Sequence, residues 1–164
     1  MTLTLILMRH AKSDWDDPTM DDHDRPLNAR GRRDAPRMAE WLAQTGAVPE
    51  HALCSTATRA RETLEGVAPT IPTSFMGELY LASPEVILRV LRAASPERQI
   101  IIGHNPGIAY FAHQIVASQP DHRRFADFPT ASTLVVDFDI DDWRELRPGT
   151  GRVRAFATPH DLAE

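Results

Sequence analysis

Hydrophobic and polar positions alternate along the chain in two distinct patterns. Short apolar runs are typical of strands, and they lie at 3–8, 52–54, 99–102, 133–138 and 152–156, the last of these at a sheet edge. Apolar residues at helical spacing lie between them, over 28–44, 56–67, 84–94 and 108–116. Strands that alternate with helices predict an α/β fold. We expect three α/β/α layers with a central, mostly parallel sheet.

The ends of the first helix carry recognisable signals. Asn28 is a candidate N-cap, and Gly46 stands just past the predicted end at Gln44. Pro36 lies inside this helix, where proline removes a hydrogen bond, and it predicts either a local kink or a later start. In the third predicted helix, Pro84 falls near the first turn, where proline is favoured.

Length and composition favour one ordinary globular domain over residues 1–164. The chain is 42% hydrophobic and 25% charged, and a chain of this length buries a substantial core without metal or disulfide staples. The single cysteine, Cys54, ends an apolar run and is expected to be a buried small hydrophobe rather than a nucleophile. This cysteine usage fits a reducing compartment. The first apolar run is too short for a signal or a membrane span, so we expect a cytoplasmic protein.

The net charge of −5 argues against general nucleic-acid binding. It does not exclude an anionic substrate, because a few arginines in a cleft set the local field against the overall sign. The acidic stretch between Asp14 and Asp24 lacks the pattern of a calcium loop, and a solvated loop is the expected reading. The other histidines show no paired zinc spacing. Residues 161–164 are expected to form a frayed tail.

Three apolar strands stop abruptly at polar residues that can carry chemistry. The first ends in Arg9 and His10, the second leads to Arg59, and the third ends at Gly103 and His104. If these strands are parallel, their carboxyl ends lie on one rim, and ligands in such sheets bind beyond that rim. We therefore expect two imidazoles and two guanidinium groups to meet in one cleft.

These residue types suit phosphoryl transfer, which needs an in-line nucleophile and positive donors around the equatorial oxygens. Arginine binds phosphate through paired N–H groups, and a neutral imidazole is a competent nucleophile. Each signal alone has a structural alternative. Arg59 could pair with Glu62 or Glu65 on a helix surface, and residues 103–107 could form a simple tight turn.

Four segments resemble landmarks of the histidine phosphatase superfamily, also called phosphoglycerate mutase-like, and within it the SixA-like phosphohistidine phosphatases. In chain order they are Leu-Met-Arg-His-Ala-Lys-Ser at 7–13, Asp-Arg-Pro-Leu at 24–27 with Arg-Gly at 30–31, Ser-Thr-Ala-Thr-Arg-Ala-Arg-Glu-Thr at 55–63, and Gly-His-Asn-Pro-Gly at 103–107. Pro-Thr-Ala-Ser at 129–132 is also similar to this group. The resemblance implies the phosphoglycerate mutase-like fold, without metal or cofactor.

The same resemblance implies a role for individual residues. His10 is the implied phosphorylated nucleophile, and Arg9, Arg59 and His104 are implied to hold the phosphate. Ser13 is a candidate for a further hydroxyl near the pocket. Trp15 is expected either to wall the mouth of the pocket or to pack in the core.

The general acid is the least defined part of the site. Many superfamily members carry a carboxylic acid on or near an inserted lid, and this chain has no long insertion. Glu78 is the best candidate from its place between the third and fourth landmarks, and a solvated loop carboxylate is the alternative. Asp14, Asp16 and Asp17 are further alternatives. The P–N bond of a phosphohistidine needs less acid assistance than an alkyl ester does.

The expected function is therefore a metal-independent phosphatase that acts on a phosphorylated protein, through a phosphohistidine intermediate. Two alternatives stay open. One is a phosphomonoesterase or mutase that acts on small metabolites, and the other is a non-catalytic module that only binds phosphate. A serine hydrolase and a Walker-type nucleotide site are not predicted, because the sequence lacks their glycine-containing motifs.

Overall fold

In the computed structural model, which describes residues 1–162, six strands form one sheet in the order β3-β2-β4-β1-β5-β6. The strands are β1 (Leu3–Arg9), β2 (His51–Ser55), β3 (Thr73–Met76), β4 (Gln99–Gly103), β5 (Thr133–Phe138) and β6 (Arg152–Ala157). The five predicted strands are present, and β6 lies at an edge as expected. The strand β3 was not predicted, because its four residues are partly or fully exposed and form no apolar run.

The middle of the sheet is parallel, which brings three strand ends to one rim. The strand β4 pairs in parallel with β1 and with β2, and the β1 register places Arg9 beside Gly103. The strands β5 and β6 complete the sheet in antiparallel pairings. The α/β class and the mostly parallel sheet are therefore confirmed.

The helices are α1 (Ala29–Gln44), α2 (Thr58–Val67), α3 (Pro84–Arg92), α4 (Gly107–Ile115) and the short α5 (Pro159–Leu162). The Asn28 side chain accepts a hydrogen bond from the Gly31 N–H at 2.9 Å, which confirms the predicted N-cap of α1. Pro36 lies inside this continuous helix, so the later start that it suggested is wrong. The helix α2 begins two residues later than predicted, because the backbone angles of Ala57 are not helical.

Helices cover both faces of the sheet. Apolar side chains of α3 and α4 pack on one face against alternate residues of β1, such as Leu5 and Leu7. Those of α1 and α2 pack on the other face against Ile6 and Met8. Cys54 belongs to this second core, and its burial raises the thiol pKa to about 12, as expected of a packing residue.

The loop after β1 is fixed by a short pairing with residues just before α1. The Asp14 N–H donates to the Pro26 carbonyl at 2.8 Å, and the Asn28 N–H donates to the Lys12 carbonyl at 3.0 Å. Gly31 lies so close to Lys12 that a Cβ atom there would overlap the Lys12 carbonyl oxygen. These contacts hold the chain that follows His10 against the first turn of α1.

The expectation of a frayed tail is wrong for the part that the structure describes. Asp161 lies in α5, and its carboxylate accepts a hydrogen bond from the Thr158 N–H at 2.8 Å. Residues 163–164 lie outside the described residues. No helix within residues 1–162 is long and apolar enough to cross a membrane.

Candidate active site

A cavity of about 500 Å³ opens at the rim where β1, β2 and β4 end. It is lined by Arg9, His10, Lys12, Ser13, Trp15, Asp22, Arg59, Leu81, His104, Asn105 and Thr130. The structure therefore brings five of the six predicted site residues to one cavity. Their roles in a reaction stay predictions.

His10 is held in one tautomer by its own chain. Its backbone N–H donates to the Gly103 carbonyl at 3.0 Å, which ties the end of β1 to the end of β4. Its Nδ1 lies 2.7 Å from the Ala11 carbonyl oxygen, and because a carbonyl only accepts, Nδ1 carries the proton. The lone pair is therefore on Nε2, which accepts from the Arg59 Nε–H at 3.4 Å.

Burial keeps His10 neutral. Its side chain is almost completely buried, and this burial, together with nearby Arg59 and Arg9, lowers the imidazole pKa to about 4. The Ala11 hydrogen bond opposes this shift. At neutral pH the ring is therefore uncharged and keeps a lone pair on Nε2, which faces Arg59, as a nucleophile requires.

Arg59 joins the two imidazoles. It lies in the first turn of α2, and its Nη2–H donates to His104 Nδ1 at 3.3 Å while its Nε–H contacts His10. These two N–H groups form one edge of the guanidinium, the edge that binds an oxyanion in a bidentate manner. Thr63 fixes the surrounding backbone, since its hydroxyl donates to the Arg59 carbonyl and accepts from the Ala11 N–H.

His104 lies opposite His10, with 5.1 Å between the ring centroids. Because Nδ1 accepts from Arg59, the proton is on Nε2, which donates to the Ser55 hydroxyl at 2.8 Å. Burial lowers the pKa of His104 to about 3, and nearby His10 and Arg59 add to this effect. The ring is therefore neutral in the absence of an anion.

Arg9 also lines the cavity, and one of its donors has no partner within the described residues. Its Nη1–H donates to the Phe128 carbonyl at 3.3 Å, but its buried Nε has no hydrogen-bond partner within the described residues. Burial, followed by repulsion from Arg59, lowers the Arg9 pKa. Arg9 is therefore a positive group of the cavity that still has capacity to donate hydrogen bonds.

The remaining predicted residues lie in different surroundings. Ser13 is buried in the cavity wall beside Lys12. Trp15 stands at the mouth, 63% exposed, with the Arg25 guanidinium 3.8 Å from its ring centroid. Of the two expectations for Trp15, the pocket wall is therefore the one that the structure supports, and core packing is wrong.

Glu78 does not reach the cavity. It lies in a 3₁₀ turn after β3, and its partly exposed carboxylate accepts from Arg89 at 2.8 Å. This is the surface placement that the sequence argument gave as the alternative. Asp14, Asp16 and Asp17 do not line the cavity either.

Asp22 lines the cavity, although the whole acidic stretch was expected to form a solvated loop. Its side chain contacts Arg59, Tyr80 and Arg25. Arg59 and Tyr80 lie 37 and 58 positions further along the chain, so no local spacing marks this residue. Within residues 1–162, no cluster of three or more His, Cys, Asp or Glu side chains has the arrangement of a metal site.

Comparison with known proteins places the chain in a family. Residues 5–79 match the model of the histidine phosphatase superfamily, branch 1. An uncharacterized protein of Mycobacterium leprae is 34% identical over 93% of this chain and 99% of its own length. The chain belongs to the histidine phosphatase superfamily. His10, Arg9 and Arg59 all lie in the matched segment of this superfamily member.

Solved structures show the same fold for this histidine phosphatase superfamily member. A candidate phosphohistidine phosphatase SixA from Nakamurella multipartitia is 26% identical, with a TM-score of 0.81 over 97% of both chains. A second candidate SixA, from Agrobacterium tumefaciens, is 26% identical, with a TM-score of 0.77 over 96% of this chain and 98% of that one. The chain is therefore similar to SixA-like proteins along nearly its whole length.

Proposed function

We propose that this protein is a metal-independent phosphatase that removes phosphate from a phosphohistidine on a protein, with His10 as the nucleophile. The observation that carries the proposal is the His10 tautomer. Its Nδ1–H donates to the Ala11 carbonyl, and its Nε2 lone pair faces the Nε/Nη2 edge of the Arg59 guanidinium. The nucleophile and the oxyanion donors therefore share one small space.

The first step transfers the phosphoryl group to His10. The Nε2 lone pair forms a P–N bond while the bond from phosphorus to the substrate nitrogen breaks. The departing imidazole keeps that electron pair and takes up a proton from solvent water. Arg9, Arg59 and His104 hold the three equatorial oxygens, and Ser13 is a further candidate donor. The dianion raises the pKa of His104, so a protonated ring gains a charge-assisted hydrogen bond.

The second step returns the enzyme to its starting state. Water attacks phosphorus, the P–Nε2 bond breaks, and inorganic phosphate leaves with His10 again neutral. The positive groups around the cavity stabilise the charge of the transferring phosphoryl group in both steps. They supply charge of the kind that a metal ion supplies in other phosphatases.

The described residues that line the cavity include no protonated carboxylic acid, and this favours a P–N substrate over an alkyl ester. Among the described residues, Asp22 is the only acidic residue that lines the cavity. Hydrogen bonds from Tyr80 and Arg59 lower its pKa, so it is ionised and holds no proton at neutral pH. An alkoxide leaving group needs such a proton more than the imidazole of phosphohistidine does. The likeness to two candidate SixA proteins supports the same substrate class.

A kinetic comparison in EDTA tests this proposal. A phosphohistidine-containing protein, p-nitrophenyl phosphate and a sugar phosphate are each assayed with the wild-type chain, with His10→Asn and with His160→Asn. His160 is exposed on α5 and is the matched control. We expect the highest kcat/KM with the phosphohistidine protein, no loss in EDTA, and a loss of at least about 10³-fold only in His10→Asn.

Each alternative function gives a different result. Faster hydrolysis of the sugar phosphate would favour a phosphomonoesterase or mutase. Binding of phosphate without turnover of any substrate would favour a non-catalytic phosphate-binding module. Turnover that survives His10→Asn would contradict the assignment of His10.

A further inference from the structure

One acidic residue, Asp22, binds the Arg59 guanidinium along the edge formed by Nη1 and Nη2. Its Nη1–H donates to the Asp22 backbone carbonyl at 2.6 Å, and its Nη2–H donates to the Asp22 Oδ2 at 3.0 Å. This outer edge, Nη1/Nη2, shares Nη2 with the inner edge, Nε/Nη2, which faces His10 and His104. A planar fork held along one edge has its other edge fixed in direction.

Asp22 is itself held by two further side chains. The Tyr80 hydroxyl donates to the same Oδ2 atom at 2.5 Å, and the Arg25 Nε lies 3.6 Å from Oδ1. The Tyr80 ring packs edge-on against His104, with 5.3 Å between the centroids. Asp22 and Tyr80 therefore connect Arg59 to the ring of His104.

We propose that Asp22, supported by Tyr80, is a positioning residue that aims the inner edge of Arg59 at the transferred phosphoryl group. This inference rests on the proposed function, in which that edge binds the phosphoryl oxygens. Without the Asp22 carboxylate, this edge of the guanidinium keeps only its bond to the backbone carbonyl. The group then gains freedom to turn, which it must lose whenever an oxyanion binds. A displacement of about 1 Å in such a group can cost about 10²-fold in rate.

The same contacts argue against Asp22 as a general acid. Both hydrogen bonds reach one carboxylate oxygen, and they favour the charged form. The rate loss on removing a positioning residue also depends on the leaving group differently from the rate loss on removing a general acid. Loss of an acid slows an alkyl phosphate much more than an aryl phosphate, whereas loss of positioning slows both by a similar factor.

The variants Asp22→Ala, Asp22→Asn and Asp21→Asn separate these roles. Asp21 is the exposed neighbour, and its replacement by Asn changes the charge equally. Since a single Asp22 oxygen accepts both hydrogen bonds, the amide oxygen in Asp22→Asn can replace it, although an amide cannot act as an acid. The readouts are kcat and KM for p-nitrophenyl phosphate and for an alkyl phosphate, together with calorimetric binding of inorganic phosphate.

We expect Asp22→Ala to lower kcat/KM about 10²-fold for both substrates, with kcat contributing, and to weaken phosphate binding. Asp22→Asn should recover most of this loss, and Asp21→Asn should match the wild type. A selective loss of alkyl phosphate turnover in both Asp22 variants would instead show a general acid and overturn the proposal. Unchanged kinetics and phosphate binding in Asp22→Ala would overturn it as well.

Tyr80→Phe gives a second route if Asp22→Ala does not fold. It removes only the hydroxyl that supports Asp22, and Tyr110→Phe is the control, because Tyr110 is exposed on α4. We expect a several-fold loss of kcat/KM in Tyr80→Phe alone, and no loss there would count against the proposal. A further outcome is phosphate binding that depends on Asp22 in a protein that turns over no substrate. In that case the positioning role of Asp22 stands, and the proposed function is rejected.

Discussion

The imidazoles of His10 and His104 are neutral because the fold buries them beside guanidinium groups. Burial penalises the charged ring, and Arg59 adds repulsion in both cases. The unfolded chain has no such restriction, so its histidines bind protons near the ordinary pKa of 6.5. The unfolded state therefore binds more protons than the folded state between about pH 4 and 6.5.

This difference predicts a pH-dependent stability that depends on His10. A group with a lowered folded pKa contributes its stability above the unfolded pKa, and this contribution is lost as the pH falls toward the folded value. Between pH 7 and pH 5, we expect His10 to account for about 2 kcal/mol of the decrease in unfolding free energy. Urea unfolding of the wild type and His10→Asn at both pH values measures this. An equal decrease in the two proteins would contradict the account.

Five of the six residues predicted from the sequence line the cavity, whereas Glu78 lies outside it and Asp22 was missed, for physical reasons. Arg9, His10 and His104 follow strands whose ends meet on one rim, and Arg59 lies in the helix after another such strand. Asp22 reaches the cavity through contacts with distant Arg59 and Tyr80. A loop that tertiary contacts hold in place carries no periodic signal along the chain.

Among the elements, the first turn of α1 controls the position of the loop after β1. Asn28 caps the helix and also donates its N–H to the Lys12 carbonyl, while Gly31 permits the close approach of the two backbones. The cap was predictable from residue type and spacing. The close packing was not, because only the folded chain shows what lies beside Gly31.

This packing predicts that Gly31→Ala destabilises the protein, although alanine is normally the better helix residue by about 1 kcal/mol. The new Cβ would overlap the Lys12 carbonyl oxygen, and overpacking of this kind costs about 1–3 kcal/mol. We expect a net loss of stability and a lower kcat/KM, because Lys12 follows the nucleophile by two positions. Gly77→Ala is the control, since nothing lies within 4 Å of its added Cβ. Thermal unfolding that ranks Gly31→Ala above the wild type would contradict the account.

At the scale of the whole molecule, the charge of the cavity opposes the charge of the chain. The net charge is −5, yet Arg9, Lys12 and Arg59 line the cavity against Asp22 alone among its described acidic residues. A locally positive cleft attracts a phosphate dianion despite the overall sign. Exposed Trp15 and Leu81 border this cleft. That residues 1–164 form one domain stays a prediction.

The central claim is that phosphate passes through His10, and trapping the phosphoenzyme tests it most directly. The wild type, His10→Asn and His160→Asn are mixed with a radiolabelled phosphoramidate and quenched in base, where phosphohistidine survives. The account predicts base-stable, acid-labile label on Nε2 of His10 in the wild type and His160→Asn, and none in His10→Asn. A phosphoenzyme that forms and turns over in His10→Asn, or label on another residue of the wild type, would contradict it.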